Sequence, residues 1–379
     1  MSEKLEKARL YEIEEAKNIP QEEKPAFHVS APVGWINDPN GFSVFKGKVH
    51  LFYQYHPYSR DWGPMHWGHS VTEDMIRWEQ LPAALAPDQE YDREGCFSGS
   101  AIEADGKQAL IYTGVTTEKL PDGKEEVRQN QCLAWGDGKD YVKAEKNPVV
   151  TGDMLPEKCS RVDFRDPKVF WYAPGKHWVM MLAVGQEMQI YSSGNLKEWK
   201  KESSFGAMQG AHGGVWECPD LVEVAVEGSK EKKWVLICNL NPGGPFGGSA
   251  AQYFVGSFDG KKFVNESPTQ TKWLDWGKDN YATVTWSNAP AGRCIALGWM
   301  SNWQYANNVP TTQYRSANTL ARDLTLYRAG GELYLKSKPS PEIKKARAEE
   351  KKISTFEVKG NYEVASLLAD NKGAYEIEM

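Results

Sequence analysis

Asn37–Phe45 reads NDPNGFSVF and Lys48–His56 reads KVHLFYQYH. The first is a short strand that runs from polar to apolar, and the second is a strand led by a turn residue. The pair returns as FSGSAIEA (97–104) with KQALIYTGV (107–115), and as RDPKVFWYA (165–173) with KHWVMMLAV (176–184). It returns again as ECPDLVEV (217–224) with KKWVLICNL (232–240), and as NYATVTWSN (280–288) with RCIALGWMSN (293–302). After each pair comes an outer pair that crosses a turn, such as HWGHSVTEDMIRWEQ (66–80), QIYSSGNLKEWKKE (189–202) and YFVGSFDGKKFVNE (253–266). Repeat starts near residues 38, 98, 166, 217 and 282 are spaced by roughly 50 to 70 residues, which suits one four-stranded blade with generous loops. The reading is all-β: a five-bladed β-propeller over about 25–339, with an irregular β-sandwich as the alternative for so many short strands.

Outside the repeats the pattern changes. Helical periodicity is convincing only near Leu5–Lys17, so residues 1–24 read as a charged, helical extension. After Lys336 the segment KSKPSPEIKKARAEEKK is polar and charged, as a linker or solvated helix would be. ISTFEVKGNYEVASLLADNKGAYEIEM (353–379) is β-like again but too short for a core of its own. Residues 340–379 are therefore expected to be a linker and the opening strands of a truncated C-terminal β-sandwich.

Composition excludes several classes. The 379 residues carry a net charge of −6. A nucleic-acid or anionic-membrane partner would favour a basic face, whereas a neutral small-molecule ligand such as a sugar fits. No apolar run is long enough for a transmembrane helix. The charged N-terminus lacks the apolar core of a secretory signal, so the chain as given reads as cytoplasmic, or as extracellular or periplasmic if a signal was trimmed. The six cysteines are scattered without a CxxC pair, which is neither a disulfide framework nor a zinc pattern. No metal-ligand spacing or phosphate-cradling loop is visible, and no cofactor is implied. The fifteen Trp suit either β cores or stacking on sugar faces.

Periodicity also gathers chemistry. The innermost strand of each blade lines the central channel, so residues at the same end of those strands converge. Asp38, Asp166 and Glu217 all stand at the start of a first strand, with Ser98 and Asp279–Tyr281 in the related places of the other two units. Three carboxylates in one funnel raise one another's pKa values, and Arg165 beside Asp166 offsets this. A lone Asp-Pro is ordinarily a turn. Recurrence of acid-Pro pairs in phase with the blades points instead to glycoside hydrolysis, which needs one attacking carboxylate and one carboxylic acid. Asp74, Asp88 and Asp92 read as solvated surface, His28 as structural, and His66 and His69 equally as structural or ligand-facing. NPGGPFGGS (241–249) reads as a loop near the site's rim.

At these residues the chain resembles the β-fructofuranosidases of glycoside hydrolase family 32: invertases, sucrose-6-phosphate hydrolases, inulinases and levanases. The motifs are WINDPNG (35–41), QYHP (54–57), WGPMHWGH (62–69), FSGSA (97–101), FRDP (164–167), WECPD (216–220) and WMSNW (299–303). The resemblance implies a five-bladed propeller followed by a β-sandwich, and hydrolysis with retention. It implies Asp38 as nucleophile, Glu217 as acid/base and Asp166 as transition-state stabiliser acting with Arg165. It implies a fructose pocket of Asn37, Gln54, Trp62, Phe97 and Ser98, with Asp279 retained and Trp299 as an aromatic wall. Cys218, next to the acid, is a candidate to tune it. The family's Asp-Phe-Tyr-Ala reads Asp279-Asn280-Tyr281-Ala282 here, so the rim differs there.

The expected substrates are sucrose, fructo-oligosaccharides and fructans. The charged N-terminal helix leans toward intracellular sucrose or sucrose-phosphate hydrolases, and Asn241–Phe254 with Gly298–Thr311 leans toward fructan exohydrolases. A transfructosylase, a non-catalytic sugar-binding propeller and a protein-interaction platform are the rival functions; the sugar-binding propeller would lack one of the three acids, and the retained polar pocket argues against the platform. The sequence does not set the oligomeric state.

Overall fold

A computed structural model describes residues 1–364 and 373–378. Each repeat folds into one sheet, and the five sheets found among the described residues form a five-bladed propeller. Blade 1 comprises Gly34–Phe45, Lys48–His56, His66–Thr72 and Glu79–Leu85; blade 2 comprises Gly95–Ala104, Lys107–Lys119, Glu125–Gly136 and Tyr141–Lys143. Blade 3 comprises Phe164–Tyr172, His177–Val184, Glu187–Ser193 and Lys200–Phe205. Blade 4 comprises Val215–Ala225, Lys232–Asn241, Ala250–Phe258 and Phe263–Asn265, with Lys272–Trp273 added to its third strand. Blade 5 comprises Tyr281–Thr285, Ile295–Trp299, Arg322–Ala329 and Glu332–Pro339. The ring closes where Tyr314–Arg315 pairs in parallel with Gly34–Trp35 and where the Ser287 N–H donates to the Phe42 carbonyl at 2.9 Å.

Tight turns set the register. Lys46-Gly47 and Asp105-Gly106, both residues of each pair at positive φ, join the first two strands of blades 1 and 2. Two consecutive left-handed residues match the twist of the flanking strands. A blade packs a neighbour on each face, which explains second strands that are apolar almost throughout, such as Val179–Val184 and Val235–Cys238. Apolar clusters fill the spaces between consecutive blades. Phe52 and Trp67 meet Leu110 and Tyr112 between blades 1 and 2, and Phe42 and Leu51 meet Trp286 and Leu297 across the closure. Trp35, Trp67, Trp216 and Trp299 are fully buried, so these four serve cores.

The helix expected near Leu5–Lys17 is α1, Glu3–Glu15, followed by a short 3-10 turn to Asn18. The Ser2 hydroxyl caps it by accepting from the Leu5 N–H at 3.2 Å. It lies against the outermost strand of blade 1. Arg9 Nε donates to the Ala83 carbonyl and Glu12 accepts from the Ala83 N–H, both at 2.9 Å. Two helix side chains thus satisfy both polar groups of an edge residue and cover an edge open to other chains. Burial pushes the Glu12 carboxyl up to about 7.

The reading of Asp88 and Asp92 as solvated surface needs correction. Asp92 is not solvated: it is 0% exposed, pairs with Lys143 at 2.5 Å and accepts from the Tyr112 hydroxyl at 2.7 Å. Asp88 is drawn to the same Lys143 ammonium at 2.6 Å, so one inward-reaching lysine pulls both acids off the surface. Beyond Ala346 the described residues form no strand, although 353–364 and 373–378 lie within the stretch expected to open a second β-domain. The remainder of that stretch, 365–372 and 379, lies outside the described residues.

The axis is packed rather than open. Lys168 of blade 3 pairs with Asp220 of blade 4 at 2.7 Å and donates to the Thr285 carbonyl of blade 5 at 2.9 Å. Asp220 in turn accepts from the Thr285 N–H and hydroxyl, both at 2.7 Å. A cavity of about 20 Å³ remains beside them, lined by Asn40, Ser100, Pro167, Lys168, Pro219 and Thr285 among others, and it has room for one water. Removing one partner of so buried a pair leaves an uncompensated charge. Lys168→Met is therefore expected to cost about 3–5 kcal/mol, read as a lowered denaturation midpoint. Asp220→Asn combined with Lys168→Met should recover much of the loss. If the single variant unfolds like the parent, the axial pair does not hold the three blades together.

Candidate active site

The inner strand of every blade breaks register at the same level. The breaks fall between Ile36 and Pro39, Phe97 and Gly99, Arg165 and Lys168, Glu217 and Asp220, and Tyr281 and Val284. Such bulges re-aim side chains beside active sites. Three of them hold a non-glycine residue in the left-handed region: Asp166 at φ 63°, Cys218 at 42° and Ala282 at 51°. That conformation costs roughly 1–3 kcal/mol each and persists only where surrounding structure enforces it. The result is a funnel mouth into which Asp38, Asp166 and Glu217 turn together.

Each acid has its own partners. Asp38 accepts from the Ser98 hydroxyl at 2.7 Å and from Asn37 Nδ2 at 2.9 Å, with the Cys218 thiol at 3.5 Å. Asn37 is itself fixed by the Trp35 indole N–H at 2.7 Å. Asp166 accepts from the Cys218 N–H at 2.8 Å, and its own N–H is held by the Thr113 hydroxyl at 3.0 Å. Glu217 accepts from Arg165 Nη2 at 3.0 Å on one oxygen and from the Tyr281 hydroxyl on the other. Arg165 is anchored from behind by Asp163 at 2.9 Å and Gln129 at 3.3 Å, and its Nε lies 3.8 Å from Asp166. One guanidinium therefore spans two of the three acids.

Burial raises the Asp38 pKa above the ordinary carboxylate range, and the Glu217 charge adds to it; Ser98, Asn37 and Cys218 pull the other way. Burial likewise pushes Asp166 up to about 7, opposed by Arg165 and reinforced by Glu217 and Asp38. The Tyr281 hydroxyl is held far above its ordinary range by burial and by Glu217, so it stays protonated and donates. A funnel with this make-up offers one carboxylate held by donors and a second acid on a different wall, the pair that acid/base chemistry on one substrate needs.

The remaining expected residues fall into two groups. Gln54 is buried and spends its amide on the Cys96 carbonyl at 2.9 Å. Phe97 meets Trp62 edge-on at 5.9 Å, and Trp62 stands 47% exposed at the rim. Asp279 is exposed, and its oxygen is taken by the Tyr305 hydroxyl. Trp299 is not a wall, because a fully buried indole has no face to offer. Its N–H is donated to Ser316, and its ring backs Trp35 and Trp303. Trp303 is only partly buried and stacks on Trp35 at 5.8 Å, so it keeps the open face that Trp299 lacks. Cys218 contacts Asp38 and Asp166 rather than the acid it follows. His66 and His69 are structural: His66 bonds the Pro64 carbonyl at 3.0 Å, and His69 bonds His50 at 2.9 Å and stacks on Phe52. His28 also bonds backbone, the Asn318 carbonyl at 3.0 Å.

Residues 28–337 match the family model described as the glycosyl hydrolases family 32 N-terminal domain. The chain is 43% identical over 363 residues to a levanase of Bacillus subtilis (strain 168), covering 93% of this chain and 52% of the levanase. It is 38% identical over 354 residues to an extracellular exo-inulinase of Aspergillus awamori, covering 86% of this chain and 66% of that enzyme. The crystal structure of an exo-inulinase from Aspergillus awamori superposes with a TM-score of 0.76 at 34% identity, covering 84% of this chain and 68% of that one. The chain thus spans about half the length of the levanase and about two thirds of the exo-inulinase. The matched stretch runs through all five blades and contains every residue of the funnel, and on that match the chain belongs to glycosyl hydrolases family 32.

Proposed function

We propose that the chain releases terminal β-D-fructofuranosyl units from sucrose and short fructans by double displacement with retention of configuration. The observation that carries this reading is the convergence of Asp38, Asp166 and Glu217 on one funnel, each with different partners. Asp38 attacks the anomeric C2 while the C2–oxygen bond to the leaving group breaks and Glu217 gives its proton to that oxygen. Water then attacks C2 of the fructosyl-enzyme, Glu217 takes back a proton, and Asp38 leaves as carboxylate. Asp166, backed by Arg165, holds fructose hydroxyls as charge develops. Asn37, Gln54, Trp62, Phe97 and Ser98 shape the fructose pocket, and Asp279 belongs to the rim.

Fructans enter the reading through relatives named as a levanase and an exo-inulinase. Residues 25–339 are the catalytic domain, 1–24 a docked extension, and 340–379 a linker leading toward a further β-domain. The apolar side chains that the tail exposes, Ile353, Phe356 and Val358, suit strands seeking a partner sheet. Incubation of the purified chain with sucrose, kestose, inulin and levan, followed by product chromatography, tests the proposal. Free fructose is the expected product. Longer oligosaccharides would replace the hydrolase reading with a transferase, and no product from a folded sample would sink both.

A further inference from the structure

The second and third strands of blade 4 are joined by Pro242–Ser249, and Leu274–Asn280 leads into the inner strand of blade 5. Val215 pairs with Asn241 and Tyr281 pairs with Trp299, so both loops lie at the funnel mouth, on the face where Glu217 and Tyr281 turn inward. Each loop presents one large aromatic to solvent. Phe246 is 56% exposed and Trp276 is 65% exposed, and their ring centroids lie 6.2 Å apart. Two exposed aromatics in contact make an apolar patch at the rim, and such patches mark ligand-binding surfaces.

Neither loop is loose. In the first, the Gly243 and Gly244 N–H groups both donate to the Gly248 carbonyl, at 3.1 and 3.0 Å, and Asn302 accepts from the Ser249 N–H and donates to its carbonyl. In the second, Asp275 accepts from the Gly277 N–H at 2.6 Å, from Asn280 Nδ2 at 3.2 Å and from Arg322 Nη1 at 3.2 Å. Asn280 is the residue that departs from the family pattern, and its amide is spent on the turn that displays Trp276. Lys278 donates to Gln304 at 2.5 Å, and Gln304 lies beside Gly247 and Gly248, placing two polar side chains next to the aromatics. The wall is continuous with the nucleophile. Trp303 N–H donates to Ser249 Oγ at 3.3 Å, Trp303 stacks on Trp35, and the Trp35 indole holds Asn37 beside Asp38.

We propose that Phe246 and Trp276 form a platform that stacks a sugar ring of the fructan chain on the leaving-group side, beyond the ring directly attached to the cleaved bond. The occupant is a neutral oligofructoside. Its C–H faces suit aromatic surfaces, and its hydroxyls suit Lys278 and Gln304. Sucrose, with a single ring beyond the cleaved bond, does not reach the platform. The inference rests on the fructosidase reading above and names the substrate class that the same funnel prefers.

The test compares sucrose with inulin-type and levan-type oligofructosides longer than a trisaccharide, using Trp276→Ala, Phe246→Ala and the double variant. The double variant is expected to lose about tenfold in kcat/KM on the long chains, mostly through KM, while sucrose kinetics stay within about twofold. Trp276→Tyr should retain most of the long-chain rate. A parallel loss on sucrose and long chains, or no loss on either, overturns the platform. Should the parent chain cleave no fructoside, the fructosidase reading fails by itself. The platform is then judged by retardation in gels containing inulin or levan, where retention by the parent that is lost in the double variant supports it and equal mobility overturns it.

Discussion

Asp38→Asn is expected to lose fructose release by at least about four orders of magnitude and, above neutral pH, to unfold at a higher temperature than the parent. The loss follows from the chemistry: an amide has no oxygen that can form and then surrender the bond to C2. The gain follows from the environment. Burial and the Glu217 charge hold the Asp38 carboxyl above its ordinary range. A folded-state pKa above the unfolded value favours folding at low pH, and that contribution is lost as pH rises through the folded value. At pH 8 the ionised Asp38 is therefore a cost that Asn does not carry, and at pH 4 the advantage vanishes. The amide can keep its oxygen toward Asn37 and turn its NH₂ toward Ser98, whose hydroxyl reverses to accept. A midpoint gain of roughly 2 °C or more at pH 8, shrinking toward pH 4, is the expected calorimetric signature. Near-parental turnover would remove Asp38 from the nucleophile's role. A midpoint lowered at every pH would mean that packing, not charge, dominates at that carboxylate.

Glu217→Gln should separate the acid from the nucleophile by its dependence on leaving group. The amide keeps the shape and can present its oxygen to Arg165 and its NH₂ to the Tyr281 oxygen, so the funnel should stay assembled. On sucrose and fructans, whose leaving oxygens need a proton, kcat should fall by about 10²–10⁴-fold. On a fructosyl fluoride, which leaves without one, the first displacement should survive. The second should be slow because no base remains to activate water. Fructosyl-enzyme should then accumulate, visible by mass as a covalent adduct on Asp38, and added azide should turn it over. An equal loss on both kinds of substrate would place Glu217 outside proton transfer. The adduct would also be absent from Asp38→Asn, so the two variants check each other.

The sequence by itself determined the number of blades, their boundaries and the level of the acids. Repetition is local information: each polar-to-apolar strand beside its Gly or Lys turn is legible without knowing what it packs against. The phase of Asp38, Asp166 and Glu217 within those repeats sufficed to place all three at one end of the channel, and the roles proposed for them come from the family resemblance. The tertiary structure decided what touches what. Tyr281 bonding Glu217, Arg165 spanning Glu217 and Asp166, and Cys218 reaching back to Asp38 depend on bulges that twist three inner strands into left-handed conformations, and no periodicity encodes a bulge's direction. The burial of Trp299 beside a partly open Trp303 has the same origin, because a motif fixes which tryptophans are near the site but only packing fixes which one keeps an open face. Asp92 was misread for a related reason: it sits in a turn while its partner Lys143 lies 51 residues away on the outer strand of blade 2, and a long-range ion pair leaves no mark on the local pattern around either residue.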